Sequence, residues 1–279
     1  MAPSETTLRI AGDARLMAGA GYALMLQVAH PVVSAGVAEH SNFQQDPYGR
    51  LVRTLDYVNV SIFGGDAAAA QMGARTREMH RRIKGVMPDG TRYHSLEPEA
   101  FAWVHATLVH SILRVAARFG DRPTASECET VYQDWRGIGE HIGVRPRDLP
   151  ETHAEFADYV HTMERERLRP TESVQTVLRT MASPRAPELP HLGPGAWKVA
   201  RWPAARVLRL TTVGLLGRTV RRRLGLTWSQ ADRLQFEAIA AANRAASPLL
   251  PAQARRFGPA YLDYRRSALE RQGFALLTA

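Results

Sequence analysis

The chain has 279 residues, 45% of them hydrophobic and 23% charged, so it is long enough to bury a substantial core and has the composition of an ordinary globular protein. Its single cysteine, Cys128, excludes an internal disulfide, a CxxC metal site and a CxxCH cofactor attachment. The net charge of +9 is concentrated in residues 196–226, which hold eight cations and no acid. Arginine outnumbers lysine so strongly that a GC-rich bacterial genome is indicated.

Two features of the first forty residues bear on localisation. The N-terminus, MAPSETTLRIAGDARL, lacks a basic region followed by an apolar one, which predicts a cytoplasmic protein with an N-terminal arm over about 1–11. Residues 16–38 are nearly long enough to span a membrane. Because Gln27, His30 and Pro31 lie near their centre, a buried helix interrupted near Pro31 is the better prediction.

Helix-forming residues recur throughout, and alternating β-branched runs are missing, which predicts an all-α fold. Asp46-Pro47 and Glu97-Pro98 have the pattern of a cap followed by a proline in the first helical turn. The predicted helices cover residues 12–29, 31–40, 47–63, 66–84, 97–119, 124–142, 151–168, 171–182, 196–222, 228–245, 251–256 and 258–273.

Two stretches interrupt the helical pattern. Residues 85–96 contain Pro88-Asp89-Gly90, a turn signal that predicts a short hairpin or an ordered loop. Residues 184–195 are rich in proline, and one interpretation is a linker between two domains. The better prediction is a loop that crosses the surface of a single domain, because the chain on both sides keeps apolar faces that need covering. The prediction is a single multi-helix globular domain over 1–279 that encloses an apolar cofactor pocket.

Residues 27–57 contain many polar groups for an apolar helical region. Histidines His30 and His40, the Asp46-Pro47 turn and the Arg53-Thr54 step all fall within it. Each buried polar group needs a partner or costs roughly 1–3 kcal/mol. The segment is therefore typical of a site that holds a polar or metal-bearing ligand against an apolar wall.

His80 follows Arg77 and Thr76 at three- and four-residue spacing and shares a helix face with them. One interpretation is a surface histidine on a basic helix. The other is an axial ligand to haem iron, because neutral imidazole is a common protein ligand there.

Arg50 and Thr54 are four residues apart, so they project from one helix face, with Arg53 adjoining. The row is either an exposed charged face or a cluster beside a bound cofactor, where guanidinium groups suit propionates or polarise oxygen species.

The other histidines fit no familiar metal site. His30 and His40 are ten residues apart, ~15 Å along one straight helix, so they share a metal only if Pro31 breaks that helix. His105 is expected in the core, satisfied by a neighbour. The sequence contains no HExxH, no repeated Glu-x-x-His, no GxSxG and no glycine-rich phosphate loop.

The run QVAHPVVSAGVAEHS…DPYGRLVRT, followed by HRRIKG and WVHATLVHS, resembles the catalytic domain shared by MpaB-type oxygenases and latex-clearing rubber oxygenases. The resemblance continues through YQDWRGIGEHIGVRPRDLP and RRRLGLTWSQAD to LLPAQARR. It implies an all-α protein with non-covalent haem b, iron held by a histidine, and O2 used to attack a hydrophobic, olefinic small molecule.

The resemblance also assigns residues. Arg50 and Thr54 match an Arg-x-x-x-Thr pair regarded as catalytic, and both would also contact the cofactor. Arg53 stands where some rubber oxygenases carry a lysine near the distal iron face. Because arginine stays protonated, Arg53 is expected to donate a hydrogen bond to O2 at a distal position that is open or filled by water.

His80 is the match for the proximal iron ligand. His30 and His40 then become pocket residues that contact the cofactor, and His30 is the next choice of ligand. In this reading the protein is a haem-dependent oxidoreductase.

Two further hypotheses stay open. One is a non-enzymatic haem- or lipid-binding protein that uses the same pocket. In the other, residues 196–226 form a helix on an anionic membrane and collect a lipophilic substrate, against the simpler alternative of a half-buried, half-solvated helix. Nucleic-acid binding is not expected, because aliphatic rather than aromatic residues interleave with the cations.

Overall fold

The computed structural model describes residues 2–42, 45–87, 89–184, 194–251 and 255–276. These residues form an all-α protein with one small hairpin, as predicted. The helices are α1 (Glu5–Ala11), α2 (Ala20–Val28), α3 (Pro31–His40), α4 (Pro47–Phe63), α5 (Asp66–Arg81), α6 (Pro98–Phe119), α7 (Ala125–Ile142), α8 (His153–Glu166), α9 (Glu172–Ala182), α10 (Pro194–Leu215), α11 (Arg218–Arg223), α12 (Gln230–Ala246) and α13 (Phe257–Arg271). Short 3-10 segments occur at Ala14–Gly19, Pro146–Asp148 and Ser247–Leu249.

Helix α6 runs through the core. Trp103 is fully buried on it and donates its indole N–H to the carbonyl of Leu26 at 3.0 Å, which ties α6 to α2. Apolar residues from Ile10 to Phe274 join the same buried cluster, so both ends of the described chain pack on one core.

Helix α6 is also long and apolar enough to cross a membrane, with 67% of its most apolar window buried inside the protein. The segments Ala14–Val28 and Pro31–His40 pass the same test together but are bent by 103°. Core helices of soluble proteins pass this test too. The bend confirms the interruption predicted near Pro31, and the proline occupies the first position of α3, where a missing N–H costs nothing.

Within the predicted N-terminal arm, residues 5–11 form helix α1. The Ser4 hydroxyl accepts a hydrogen bond from the backbone N–H of Thr7 and so caps the helix. Ser4 and Thr7 both donate side-chain hydrogen bonds to one carboxylate oxygen of Asp134 on α7, at 2.7 and 2.6 Å. A contact 130 residues away therefore holds α1 in place.

The single helix predicted over 12–29 is wrong, since a 3-10 segment, Ala14–Gly19, precedes α2. Close packing accounts for the small residues here: a side chain at Gly21 would collide with the hydroxyl of Thr212, and one at Gly19 with Ser111. At these glycines the chain therefore packs closely against α6 and α10.

The helix predicted over 196–222 is instead two helices, α10 and α11, separated at Leu216 and Gly217. The guanidinium of Arg221 donates to the carbonyls of Val213 at 3.3 Å and Leu216 at 2.7 Å. It satisfies acceptors that the end of α10 leaves without intrahelical partners, which stabilises the break.

The turn signal in 85–96 forms a hairpin, as one of the two predictions had it. Strands β1 (Lys84–Val86) and β2 (Arg92–His94) pair antiparallel, with Gly85 opposite Tyr93. Gly90 has φ of 86°, which favours glycine in the turn. Most of the proline-rich stretch 184–195 lies outside the described residues, as do 252–254 of the short helix predicted at 251–256.

Candidate functional site

His80 lies in the last turn of α5 with its side chain half-buried. Its Nδ1 is 2.7 Å from the carbonyl oxygen of Thr76, and since a carbonyl only accepts, Nδ1 carries the proton and donates it. Among the described residues Nε2 makes no hydrogen bond, and the ring meets Phe101 edge-on at 5.8 Å. The lone pair of the imidazole is therefore on Nε2.

Burial lowers the pKa of His80, the hydrogen bond to Thr76 opposes this, and the nearby charge of Arg50 lowers it further. The imidazole is consequently neutral at physiological pH. A neutral ring whose Nδ1–H is held by a backbone carbonyl is the arrangement in which Nε2 binds a metal.

Arg50 projects from the first turns of α4 and is half-buried, with Nη1 donating to the hydroxyl of Ser41 at 2.8 Å. Within the described residues it has no carboxylate partner. Burial, and then the charge of Arg53, lower its pKa. A half-buried guanidinium that faces only a neutral hydroxyl can still take up an anionic group.

Arg53 and Thr54 lie elsewhere. The Arg53 side chain is 56% exposed and reaches Asp46 at 3.6 Å and Asn42 at 3.4 Å. Thr54 is exposed and donates its hydroxyl to the carbonyl of Arg50 at 3.1 Å. The structure thus brings Arg50, but not the Arg53 guanidinium, towards His80.

The end of α3 borders the same region. His40 is exposed and its Nε2 donates to the carbonyl of Lys84 on β1 at 3.2 Å. Its neighbour Glu39 accepts a hydrogen bond from the hydroxyl of Tyr93 on β2 at 2.6 Å. Ser41, Glu39 and Tyr93 are not among the site residues predicted from the sequence. The polar run Glu39-His40-Ser41 was the available signal, but the hairpin partner lies over fifty residues away.

His30 lies at the bend between α2 and α3 and is only 4% exposed. Its Nε2 is 3.4 Å from a carboxylate oxygen of Glu99, which also pairs with Arg167 at 2.8 Å. Its buried Nδ1 has no partner among the described residues. Burial lowers the pKa of His30, although Glu99 opposes this.

His30 and His80 approach α6 from different sides. Glu99 and Phe101, their respective contacts, are two residues apart and so point about 200° apart around the helix. His30 also lies at the opposite end of α3 from His40. Of the other predicted site residues, Arg50 lies close enough to His80 to lower its pKa, whereas His40, Arg53 and Thr54 are exposed.

His105 is in the core, as expected. Its ring stacks on Trp135 at 4.9 Å, its Nε2–H donates to the Trp135 carbonyl at 2.9 Å, and its Nδ1 accepts from the Tyr57 hydroxyl at 3.3 Å. The described residues contain no group of three or more His, Cys, Asp or Glu side chains that could together hold a metal ion.

These features describe an all-α protein in which a half-buried histidine, whose Nε2 is unpartnered among the described residues, lies beside a cation. Residues 8–245 match the family described as ER-bound oxygenase mpaB/B'/Rubber oxygenase, catalytic domain, and the chain belongs to this family. It therefore carries an oxygenase catalytic domain.

Two curated relatives are "Uncharacterized protein Mb2261" of Mycobacterium bovis and "Uncharacterized protein Rv2237" of Mycobacterium tuberculosis. Each is 25% identical to this chain over 241 residues, which cover 83% of this chain and 88% of the relative. No solved structure matches the chain.

Proposed function

We propose that the protein is a haem b-dependent oxygenase that uses O2 on a hydrophobic, unsaturated small molecule, with His80 as the protein ligand of the iron. The single observation that carries the haem assignment is the 2.7 Å hydrogen bond from His80 Nδ1 to Thr76, which leaves Nε2 for the metal. Family membership supports the oxygenase activity itself.

The residues fit such a group. Both faces of a haem ring are apolar, and its edge carries two anionic propionates. A half-buried guanidinium such as that of Arg50 can form a charge-assisted hydrogen bond with a propionate. Haem, when bound, would supply the activation of O2. The apolar pocket that takes the ring and the substrate is part of this proposal.

The remaining residues would act through position and charge. Thr54 holds the carbonyl of Arg50 through its hydroxyl and supports the helix where Arg50 projects. For Arg53 to donate a hydrogen bond to oxygen, its guanidinium must leave Asp46 and Asn42. His40 would contact the cofactor from the end of α3. His30, which approaches α6 from a different side, has an Nδ1 that is unpartnered among the described residues and stands as the alternative ligand.

A peripheral membrane contact through 196–226 is part of the same proposal. Val199 and Trp202 on α10 are 76% and 67% exposed, which supports it. Other cations of the segment are used internally, since Arg206 and Arg209 pair with Asp232 at 2.8 and 3.1 Å. Reduced sedimentation of Trp202→Ala with anionic vesicles would support the contact, and no sedimentation of the unaltered protein would dismiss it.

The first test is the absorption spectrum of protein expressed with iron and a haem precursor, followed by a pyridine haemochrome assay. We expect near-stoichiometric haem b in the unaltered protein and its loss in His80→Gly, with the Soret band restored by added imidazole, which can enter the space of the missing ring. The matched control is His161→Gly, which removes an exposed histidine of α8.

Full haem loading of His80→Gly without imidazole would contradict the assignment and transfer it to His30. A correctly folded protein that refuses added haemin would favour the apolar-ligand-binding alternative. Oxygen consumption in the presence of substrate distinguishes an enzyme from a haem carrier, which binds without turnover.

A further inference from the structure

A cationic cleft lies far from His80, between the second half of α6, the α10–α11 turn, α11 and the region of α12. Its volume is about 480 Å³. Phe101, which contacts His80, and Arg114 at the rim of the cleft are thirteen residues apart on α6, ~20 Å along the helix. The cleft is therefore separate from the proposed haem site.

The lining of this cleft is almost entirely of one charge. Its single acidic residue is Glu237. Its six basic residues are all arginines, namely Arg114, Arg118, Arg122, Arg218, Arg221 and Arg233. The excess of positive charge is concentrated in a concave space rather than spread over a convex surface, where solvent would screen it better.

The carboxylate of Glu237, the acidic residue of the cleft lining, is already paired with an arginine. Arg118 forms an ion pair with Glu237 and lies over the ring of Phe236, with 5.1 Å from its central carbon to the ring centroid. Burial lowers the pKa of Arg118, and the charges of Arg244 and Arg114 lower it further. Two neighbouring cations, of which Arg114 also lines the cleft, therefore act on Arg118 against the single carboxylate of Glu237.

Arg221 forms the opposite wall. Its guanidinium is held by neutral partners only, the carbonyls of Val213 and Leu216, and lies 5.1 Å from the centroid of Trp228. Burial lowers its pKa, followed by the charges of Arg218 and Arg114. The side chain is fixed in orientation while its charge is not neutralised.

The remaining arginines are available to a ligand. Within the described residues, Arg122, Arg218 and Arg233 make no ion pair and no side-chain hydrogen bond, and Arg114 donates only to the carbonyl of Leu215 at 3.3 Å. Glu164 interacts electrostatically with Arg114, but burial raises the pKa of Glu164 to about 6 and weakens its charge under mildly acidic conditions.

We propose that this cleft binds a small molecule or headgroup that carries phosphate, with its phosphate oxygens between the α6 arginines and those of α11 and α12. Phosphate fits better than a single carboxylate because it carries more charge and accepts hydrogen bonds from several guanidinium groups at once. A cleft of about 480 Å³ has the size of a site for a nucleotide or a lipid headgroup.

The test uses the full-length protein at about 0.15 M salt, where weak surface attraction is screened. Inorganic pyrophosphate and ADP are titrated by calorimetry, and sedimentation is measured with vesicles of phosphatidylcholine alone or mixed with phosphatidylglycerol. The test variant is Arg218→Gln/Arg233→Gln, because neither side chain stabilises the fold through a described contact. The matched control is Arg222→Gln, an exposed arginine of α11 outside the cleft.

We expect binding that weakens about tenfold or more in the double variant and changes little in Arg222→Gln, as loss of direct charge-assisted contacts implies. If pyrophosphate or ADP binds with this dependence on the variants, the ligand is a soluble phosphate compound. The same pattern seen only with phosphatidylglycerol vesicles identifies a lipid headgroup. Absence of binding to all probes, or equal weakening in Arg222→Gln, overturns the proposal. Thermal unfolding of each variant confirms that it is folded.

Discussion

At His80 one hydrogen bond determines which ring nitrogen is available to bind a metal. The neighbouring Arg50 places a positive charge beside the proposed cofactor. The Thr76 carbonyl holds the proton on Nδ1, so the chemistry is left to Nε2. Arg50, bonded only to Ser41, adds a cation that an anionic propionate would neutralise. The two residues therefore make separable predictions, one for ligation and one for cofactor affinity.

The charge of Arg50 should matter for cofactor affinity where that of Arg53 does not. We expect Arg50→Gln to weaken haemin binding about tenfold through loss of a charge-assisted contact. Arg53→Gln, on the same helix but 56% exposed and directed at Asp46, should have little effect. Haemin titration followed at the Soret band measures both. Equal affinities of the two variants would argue against a propionate contact at Arg50.

Buried neutral histidines should make stability depend on pH below neutrality. Burial lowers the pKa of His105 to about 4 and that of His110 to about 3. Between the ordinary histidine value and these values the unfolded chain binds more protons than the folded chain, so folding stability falls as pH falls. Glu164, whose pKa burial raises to about 6, acts in the opposite direction.

The variant His105→Gln isolates the contribution of one buried histidine to the pH dependence of stability. Urea unfolding at pH 7 and about pH 4.5 should show a loss of stability that is about 2 kcal/mol smaller in His105→Gln than in the unaltered protein. The exposed His161→Gln should keep the full loss. An unchanged pH dependence in His105→Gln would show that this ring does not carry the effect.

At the scale of elements, the last helix is held to the site helix by one buried carboxylate. Asp56 on α4 is 7% exposed and accepts hydrogen bonds from the Tyr261 hydroxyl at 2.7 Å and from Arg265 at 2.8 and 3.0 Å, both on α13. The bidentate pair fixes the orientation of α13 against α4. It therefore also restrains the helix that carries Arg50.

Removing the charge of Asp56 should be costly. In Asp56→Asn the partly buried Arg265 loses its counter-ion, and we expect the free energy of unfolding to fall by ~3 kcal/mol. Asp263→Asn breaks an ion pair with Arg266 on the same α13 at a side chain that is 59% exposed, and should cost less than ~0.5 kcal/mol. Urea denaturation measures the free energy of unfolding of both variants. Similar losses in the two would show that the buried network stabilises the protein no more than the exposed ion pair does.

At the scale of the whole molecule, one core extends from Ile10 to Phe274. The single domain predicted for the chain should therefore unfold in one cooperative transition. Far-ultraviolet circular dichroism reports all helices, and tryptophan fluorescence reports the interior through the fully buried Trp103 and Trp135. The two unfolding curves should coincide. Separate midpoints would instead indicate two units divided near the proline-rich stretch.

Local sequence patterns determined much of the architecture. Asp46-Pro47 and Glu97-Pro98 start α4 and α6 where predicted, Pro31 bends the chain, and Asp89-Gly90 lies between the two strands of a hairpin. Such signals act over a few residues, through fixed φ of proline and the caps of helix ends, so they can be read without a partner. The family motifs also lie in continuous runs, which made the oxygenase resemblance visible.

Tertiary contacts decided the rest, because their partners are remote in the sequence. Helix α1 depends on Asp134, and the end of α10 depends on Arg221 folding back onto its carbonyls. The exposure of Arg53 and the burial of Arg50 distinguish two arginines that spacing alone treated alike. The cationic cleft requires α6, α11 and α12 to converge, and only packing brings arginines more than a hundred residues apart into one space.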